Sequence, residues 1–119
     1  MQFIASEMFV YSRNHNYVGT LDILYRKNGK LYLADWKTSK DIYPDYINQV
    51  VGYAIAYEEE FNEKVDCLAI NRFDKDTGEF DSFEIERGSD VWEKAKECFL
   101  NCLSLKRTNS EFAKLLSAR

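Results

Sequence analysis

Asn28-Gly29 lies between two apolar runs, 17–27 and 30–38, and constrains the fold more than any other dipeptide in the chain. Both residues tolerate positive φ, which a two-residue hairpin turn demands of its central positions. The flanking runs are rich in Tyr, Leu, Val and Ile, the side chains that suit a pleated strand. A turn of this kind pairs Lys27 with Lys30 and fixes every pair further out. Counting outward puts Asp22 opposite Asp35 and Thr20 opposite Lys37. Directly opposed residues share a face, with Cβ atoms roughly 4.5–5.5 Å apart. Asp35 and Lys37 alternate along one strand, so they share that face as well. Leu24 and Leu33 sit on the same side, and Leu21, Ile23, Ala34 and Trp36 on the other. Both faces are apolar, which predicts inner strands covered on both sides.

Acids in such a setting need a reason. Two carboxylates at about 4 Å repel by roughly 4 kcal/mol at an effective dielectric of about 20. A bound cation, a shared proton or the Lys37 ammonium could relieve that cost. A hard divalent ion such as Mg²⁺ takes a pair of carboxylates and completes its shell with water and phosphate oxygens. An ordinary cross-strand ion pair on a solvated sheet is the plainer reading of Asp-x-Lys. The apolar neighbours weigh against it. Glu7 extends the row if "RNHN" is a four-residue loop, which would place it opposite Asp22; a one-residue slip would turn it to the other face.

The remaining pattern predicts a strand over 2–12, a helix from about Asp45 to Phe61 behind Pro44, and strands over 65–73 and 79–86. Ser89 is expected to cap a helix running to about Lys106, and Asn109 or Ser110 a last short helix. The order β-β-β-α-β-β-α-α predicts an α/β fold, a single domain around a mixed sheet. On the helix, Gln49 and Tyr53 share a face, with Tyr46 beside Gln49, and Val50, Val51, Ala54 and Ile55 form the apolar stripe. A glutamine between tyrosines suits a nucleotide strand, by hydrogen bonding and base stacking; half-buried packing is the plainer reading of the tyrosines.

In order and spacing, "GTLD", "DWKTSK" and "QVVGY" together resemble the PD-(D/E)xK nuclease superfamily, in its RecB-like exonuclease branch. That branch carries G-x-x-D, then an acid-x-Lys on the next strand, then Q-x-x-x-Y on the following helix. Gly19 and Asp22, Asp35 and Lys37, and Gln49 and Tyr53 stand at those places. The resemblance implies a restriction-endonuclease-like core: a mixed sheet with an antiparallel hairpin, flanked by helices. It implies a hydrolase acting on DNA phosphodiesters at ends or single strands, with Mg²⁺ or Mn²⁺ as cofactor. Asp22, Asp35 and the Trp36 backbone carbonyl would hold the metal, with Glu7 as a further ligand, and Lys37 would be the catalytic cation. Gln49, Tyr53, Tyr46, Thr20, Thr38 and Lys40 are the candidates for substrate contacts. The family core usually opens with a helix, whereas this chain opens in a strand: the chain is a fragment or a minimal member, or that helix is replaced by the C-terminal ones or by a partner subunit, and a homo-oligomer is compatible with the open flank.

Charge and cysteines bound the alternatives. The net charge of −4 speaks mildly against nucleic acid, but residues 1–40 hold six Lys/Arg against three acids, while 41–119 hold ten against seventeen. The acidic run Glu58–Glu60 reads as a solvated face. Some relatives use four cysteines for an iron–sulfur cluster; this chain has three, Cys67, Cys98 and Cys102. An odd count without CxxC predicts reduced, buried thiols in a cytoplasmic setting and no cluster. No apolar run approaches the roughly 18 residues of a membrane span, and "MQFIASEMFV" has no features of a secretory signal. His15 reads as a surface residue in a polar turn. Lys106, Arg107, Lys114 and Arg119 could touch phosphate, though a solvated helix face accounts for them equally. A nuclease-fold module that binds nucleic acid or protein without turnover is the alternative function, and a metal-stabilised structural domain a third.

Overall fold

The computed structural model describes residues 1–119. Five strands, β1 (Gln2–Ser12), β2 (Tyr17–Lys27), β3 (Lys30–Thr38), β4 (Cys67–Phe73) and β5 (Phe80–Glu86), form one sheet in the order β1-β2-β3-β4-β5. All neighbours are antiparallel except β3 and β4, which run parallel and are joined through helix α1 (Pro44–Phe61). Helix α2 (Asp90–Ser117) closes the chain. The fold is α/β with a mixed sheet, and no helix is long and apolar enough to cross a membrane.

The Asn-Gly turn forms as its residues dictate. Asn28 and Gly29 take φ of 54° and 77°, and Lys27 pairs with Lys30. The ladder then holds the expected register as far as Ile23↔Ala34 and stops there. Strict alternation fails at this point. Leu21 and Leu24 are both fully buried in the same core, although they are an odd number of residues apart. Asp22 and Ile23 occupy the slip. On β1 the residue between the pairs Ser6↔Ile23 and Met8↔Leu21 is Glu7, whose φ of 49° is left-handed. Both strands therefore kink together, and β2 parts from β3 at Asp22.

One face of the sheet carries the core. Leu21, Leu24, Leu31, Leu33, Leu68 and Ile70 pack under Val50, Val51 and Ala54 of α1, and Trp92 and Ala95 of α2 join the same cluster. Burying each such leucine contributes about 1.5–3 kcal/mol. The expectation of two covered faces is not met. Across the sheet from the helices, Trp36 and Phe80 lie 6.1 Å apart between ring centres, and each keeps 55% of its surface exposed.

Helix ends follow local chemistry. Pro44 opens α1 at its first turn, where a missing N–H costs nothing. Ser89 caps α2 by accepting a hydrogen bond from Trp92 N at 3.3 Å. No second C-terminal helix separates: α2 runs unbroken through Asn109 and Ser110. No glycine or proline interrupts that segment, and Thr108 Oγ1 donates back to Ser104 O at 2.9 Å instead of capping a new helix.

Two further expectations are corrected. Glu58 and Glu59 are not a solvated face. Glu58 accepts from Val65 N at 2.7 Å and pairs with Arg87, and Glu59 accepts from Ser12 Oγ at 2.7 Å and Asn14 N at 2.8 Å. Cys98 and Cys102 are exposed, and only Cys67 is buried. The α2 stripe that faces α1 runs through Trp92, Ala95 and Phe99, and Cys98 and Cys102 fall beside it.

Gly52 lets the two helices meet. A Cβ there would sit 2.5 Å from Phe99 Cε1. Gly52→Val is therefore expected to destabilise the protein by about 1–3 kcal/mol, lowering the melting temperature by several degrees. A thermal melt matching the parent protein would contradict this crossing.

Candidate functional site

The parting of β2 and β3 creates the site. With its strand no longer paired, Asp22 turns a carboxylate into the gap, where Oδ2 accepts from Trp36 N at 2.9 Å. A strand residue directs its N–H and C=O to the same edge, so the Trp36 carbonyl looks into that gap too. Asp35, one residue earlier on β3, is buried. Its carboxyl feels the charge of Asp22 across the gap.

Lys37 lies over this pair. Its Nζ is 2.8 Å from Asp35 Oδ2 and donates to Gln49 Oε1 at 2.7 Å. The ammonium also sits 5.1 Å from the centre of the Tyr46 ring. The approach to Asp35 is close enough for an ion pair but is not aligned as a hydrogen bond, and Oδ2 is buried without a donor. An orphaned buried carboxylate oxygen is costly to keep, typically about 1–3 kcal/mol.

The two acids divide their charge unequally. Burial, then the hydrogen bond with Asp22, pushes the Asp35 carboxyl up to about 6. Burial also pushes Asp22 up, but the hydrogen bonds from Asp35 and Trp36 N and the charge of Lys37 outweigh it, and Asp22 is held below the usual carboxylate range. Two like charges in contact cannot both ionise at their ordinary values, so Asp35 is the acid that takes up a proton first as the pH falls through about 6.

Helix α1 supplies the opposite wall. Gln49 is exposed, and Tyr46 and Tyr53 are half-buried. Burial, then the charges of Asp35 and Asp22, raises the Tyr53 hydroxyl. The Tyr53 ring reaches β2 because Gly19 has no side chain: a Cβ there would lie 2.5 Å from Tyr53 Cε1. The spacing of Gly19, Asp22, Asp35, Lys37, Gln49 and Tyr53 thus converges on one place.

Other candidates lie outside it. Thr20 pairs with Phe9 on β1 and is exposed on the uncovered face; it does not meet Lys37, because the β2–β3 ladder has already ended. Thr38 is exposed at the end of β3. Lys40 points to the β4–β5 turn, with Nζ 3.9 Å from Asp76 Oδ2. Glu7 falls opposite Asp22 in the β1–β2 register, as the four-residue loop predicts, but it is exposed with a left-handed backbone, and no three acidic, histidine or cysteine side chains gather as a ligand set.

Arg72 was not anticipated. It is 4% exposed, pairs with Asp81 at 2.9 Å and with Glu79, and donates to Ser39 O at 3.0 Å. It ties down the chain just beyond Lys37. An arginine in a strand with acids on the next strand was the available signal, but "NRFDKDTGEFD" reads first as a polar hairpin.

The residues present fit a divalent ion. Two carboxylate side chains and a backbone carbonyl share the gap, one acid oxygen has no donor, and the donors are hard oxygens. Such a set leaves the remaining positions to water and to a substrate oxygen.

No protein-family model matches the chain, and no curated protein matches it.

Asp35 sets a pH dependence. Its folded value, about 6, exceeds the ordinary 3.8, so the ionised form burdens the folded state. That burden is complete above about pH 6, shrinks as pH falls and is gone near 3.8. Asp35→Asn is expected to stabilise the metal-free protein by about 1–2 kcal/mol above neutral pH, after allowance for partial solvation. The gain should disappear as the medium is acidified through that window. Melting curves at several pH values check it; a variant equally or less stable throughout would contradict the assignment.

Proposed function

We propose that the chain is a Mg²⁺- or Mn²⁺-dependent nuclease with a restriction-endonuclease-like core, cutting DNA at ends or in single strands. One observation carries this reading: a buried Asp35 beside Asp22, with the Lys37 ammonium 2.8 Å from Asp35, in a gap opened within the sheet. The arrangement costs stability, which favours a role other than packing.

Asp22, Asp35 and the Trp36 carbonyl would hold the ion, which when bound lowers the pKa of a water and draws charge from the phosphate. Lys37, beside Asp35, would face a phosphate oxygen or the attacking water. Gln49 keeps the ammonium in place through its amide oxygen. In hydrolysis a water oxygen bonds to phosphorus and loses a proton to solvent, the bridging P–O bond breaks, and the departing alkoxide takes a proton from solvent. Lys37 serves the charge that builds on the phosphoryl oxygens along that path. Tyr46 and Tyr53 offer ring faces to a neighbouring base or sugar.

The exposure of Glu7 favours a second reading, a nuclease-fold module that binds without turnover, because it leaves the ion with fewer protein ligands. One assay separates the two. Labelled single- and double-stranded DNA is incubated with Mg²⁺, with Mn²⁺ and with EDTA, alongside Lys37→Ala and Asp35→Ala. The nuclease reading expects products only with metal and a loss of about 100-fold or more in either variant. DNA that is bound but intact in every metal would overturn it.

A further inference from the structure

A second cavity, away from the acids, brings together residues that are far apart in the sequence. It holds about 600 Å³ between the β1–β2 turn and the middle of α2. Asn14, His15 and Asn16 line it from the turn, and Lys106, Arg107 and Ser110 from the helix. None of its lining residues is an aspartate or glutamate, in a chain where acids outnumber Lys and Arg by 20 to 16. Its base is apolar, from Tyr17, Leu100 and Leu103.

The walls are braced from behind. Glu59 holds Ser12 Oγ and Asn14 N, and Ser12 Oγ accepts from His15 N at 3.1 Å. The Glu59 carboxylate is engaged in those bonds. On the other side Phe99 stacks edge-on against Tyr17 at 5.1 Å, and Tyr17 donates to Gly52 O at 2.6 Å. The turn side and the base of the cleft are thus fixed in the fold, and exposed Lys106 and Arg107 reach it from α2.

We propose that this cleft binds the phosphate backbone of a nucleic-acid strand whose other part lies at Asp22 and Asp35. The identity of the ligand rests on the nuclease reading; the cleft's chemistry does not. Two permanent cations, a histidine and side-chain amides suit phosphate oxygens, and the apolar base suits the sugar and base between them. The stretch of β2 from Tyr17 to Asp22 covers about 17 Å, roughly five nucleotide steps at B-form rise.

The test is equilibrium binding of a labelled oligothymidylate of about 20 nucleotides, in EDTA, followed by anisotropy over a range of salt concentrations. The double variant Lys106→Ala/Arg107→Ala is compared with the parent and with Lys94→Ala/Lys96→Ala, an equal loss of charge elsewhere on α2. Circular dichroism confirms that each remains folded. Loss of two phosphate contacts should weaken binding about tenfold or more and reduce the salt slope by about 1.4, with the control pair unchanged. The proposal is overturned if the cleft variant binds like the parent, if the control pair weakens binding equally, or if the parent does not bind. Cleavage by the parent in Mg²⁺ is read in parallel. Cleavage with an unaffected cleft variant would sink the cleft alone. Cleft-dependent binding without cleavage would sink the nuclease reading alone.

Discussion

Everything at the candidate site depends on β2 and β3 parting company at Asp22. A hairpin that stayed paired would spend the Trp36 N–H on its neighbouring strand and leave no room for a carboxylate. Because the ladder ends at Ile23↔Ala34, Asp22 can take that N–H for its own side chain. The same opening sets its carboxyl against that of Asp35, which the core has already stripped of water. Repulsion between the two is then met by Lys37 and, below about pH 6, by a proton on Asp35. The gap, the raised carboxyl and the trapped ammonium are consequences of one local failure of strand pairing.

The rest of the fold holds that failure in place. Leu31 and Leu33 anchor β3 in the core just before Asp35, so the acid cannot swing out to water without unpacking them. Beyond Lys37, Arg72 grips the Ser39 carbonyl, and Ser39 N donates to Phe73 O at 3.1 Å. Helix α1 closes the opposite side, with Gln49 on the ammonium and Tyr53 seated against Gly19. A buried like-charge pair persists only where its surroundings over-determine it, and here strand, clamp and helix each restrain one flank.

The hairpin register was legible because Asn-Gly leaves the turn little choice, and the register alone named Asp22 and Asp35 as neighbours. The partners of α1 were legible from helical spacing. The slip in alternation was not: Leu21 and Leu24 read as opposite faces until the kink at Glu7 and Asp22 puts both in the core. That same kink ends the β2–β3 ladder before Thr20 and keeps it from the site, which strict alternation could not reveal. Long-range pairings were equally hidden. Glu59 bracing the β1–β2 turn, and His15 facing Lys106 and Arg107, depend on how α1 and α2 cross, and Gly52 against Phe99 sets that crossing. The unbroken α2 was missed because Asn and Ser favour caps only when the chain has somewhere else to go.

The claim that the two acids share one charge-strained gap is tested most directly by NMR titration of the side-chain carboxyl carbons of Asp22 and Asp35, with and without Mg²⁺. The account predicts an Asp35 midpoint near 6 and an Asp22 midpoint below the usual range in the free protein. Added Mg²⁺ should drive the Asp35 midpoint downward, since ion and proton compete for the same oxygens. Two independent midpoints at ordinary aspartate values, unmoved by the ion, would contradict it.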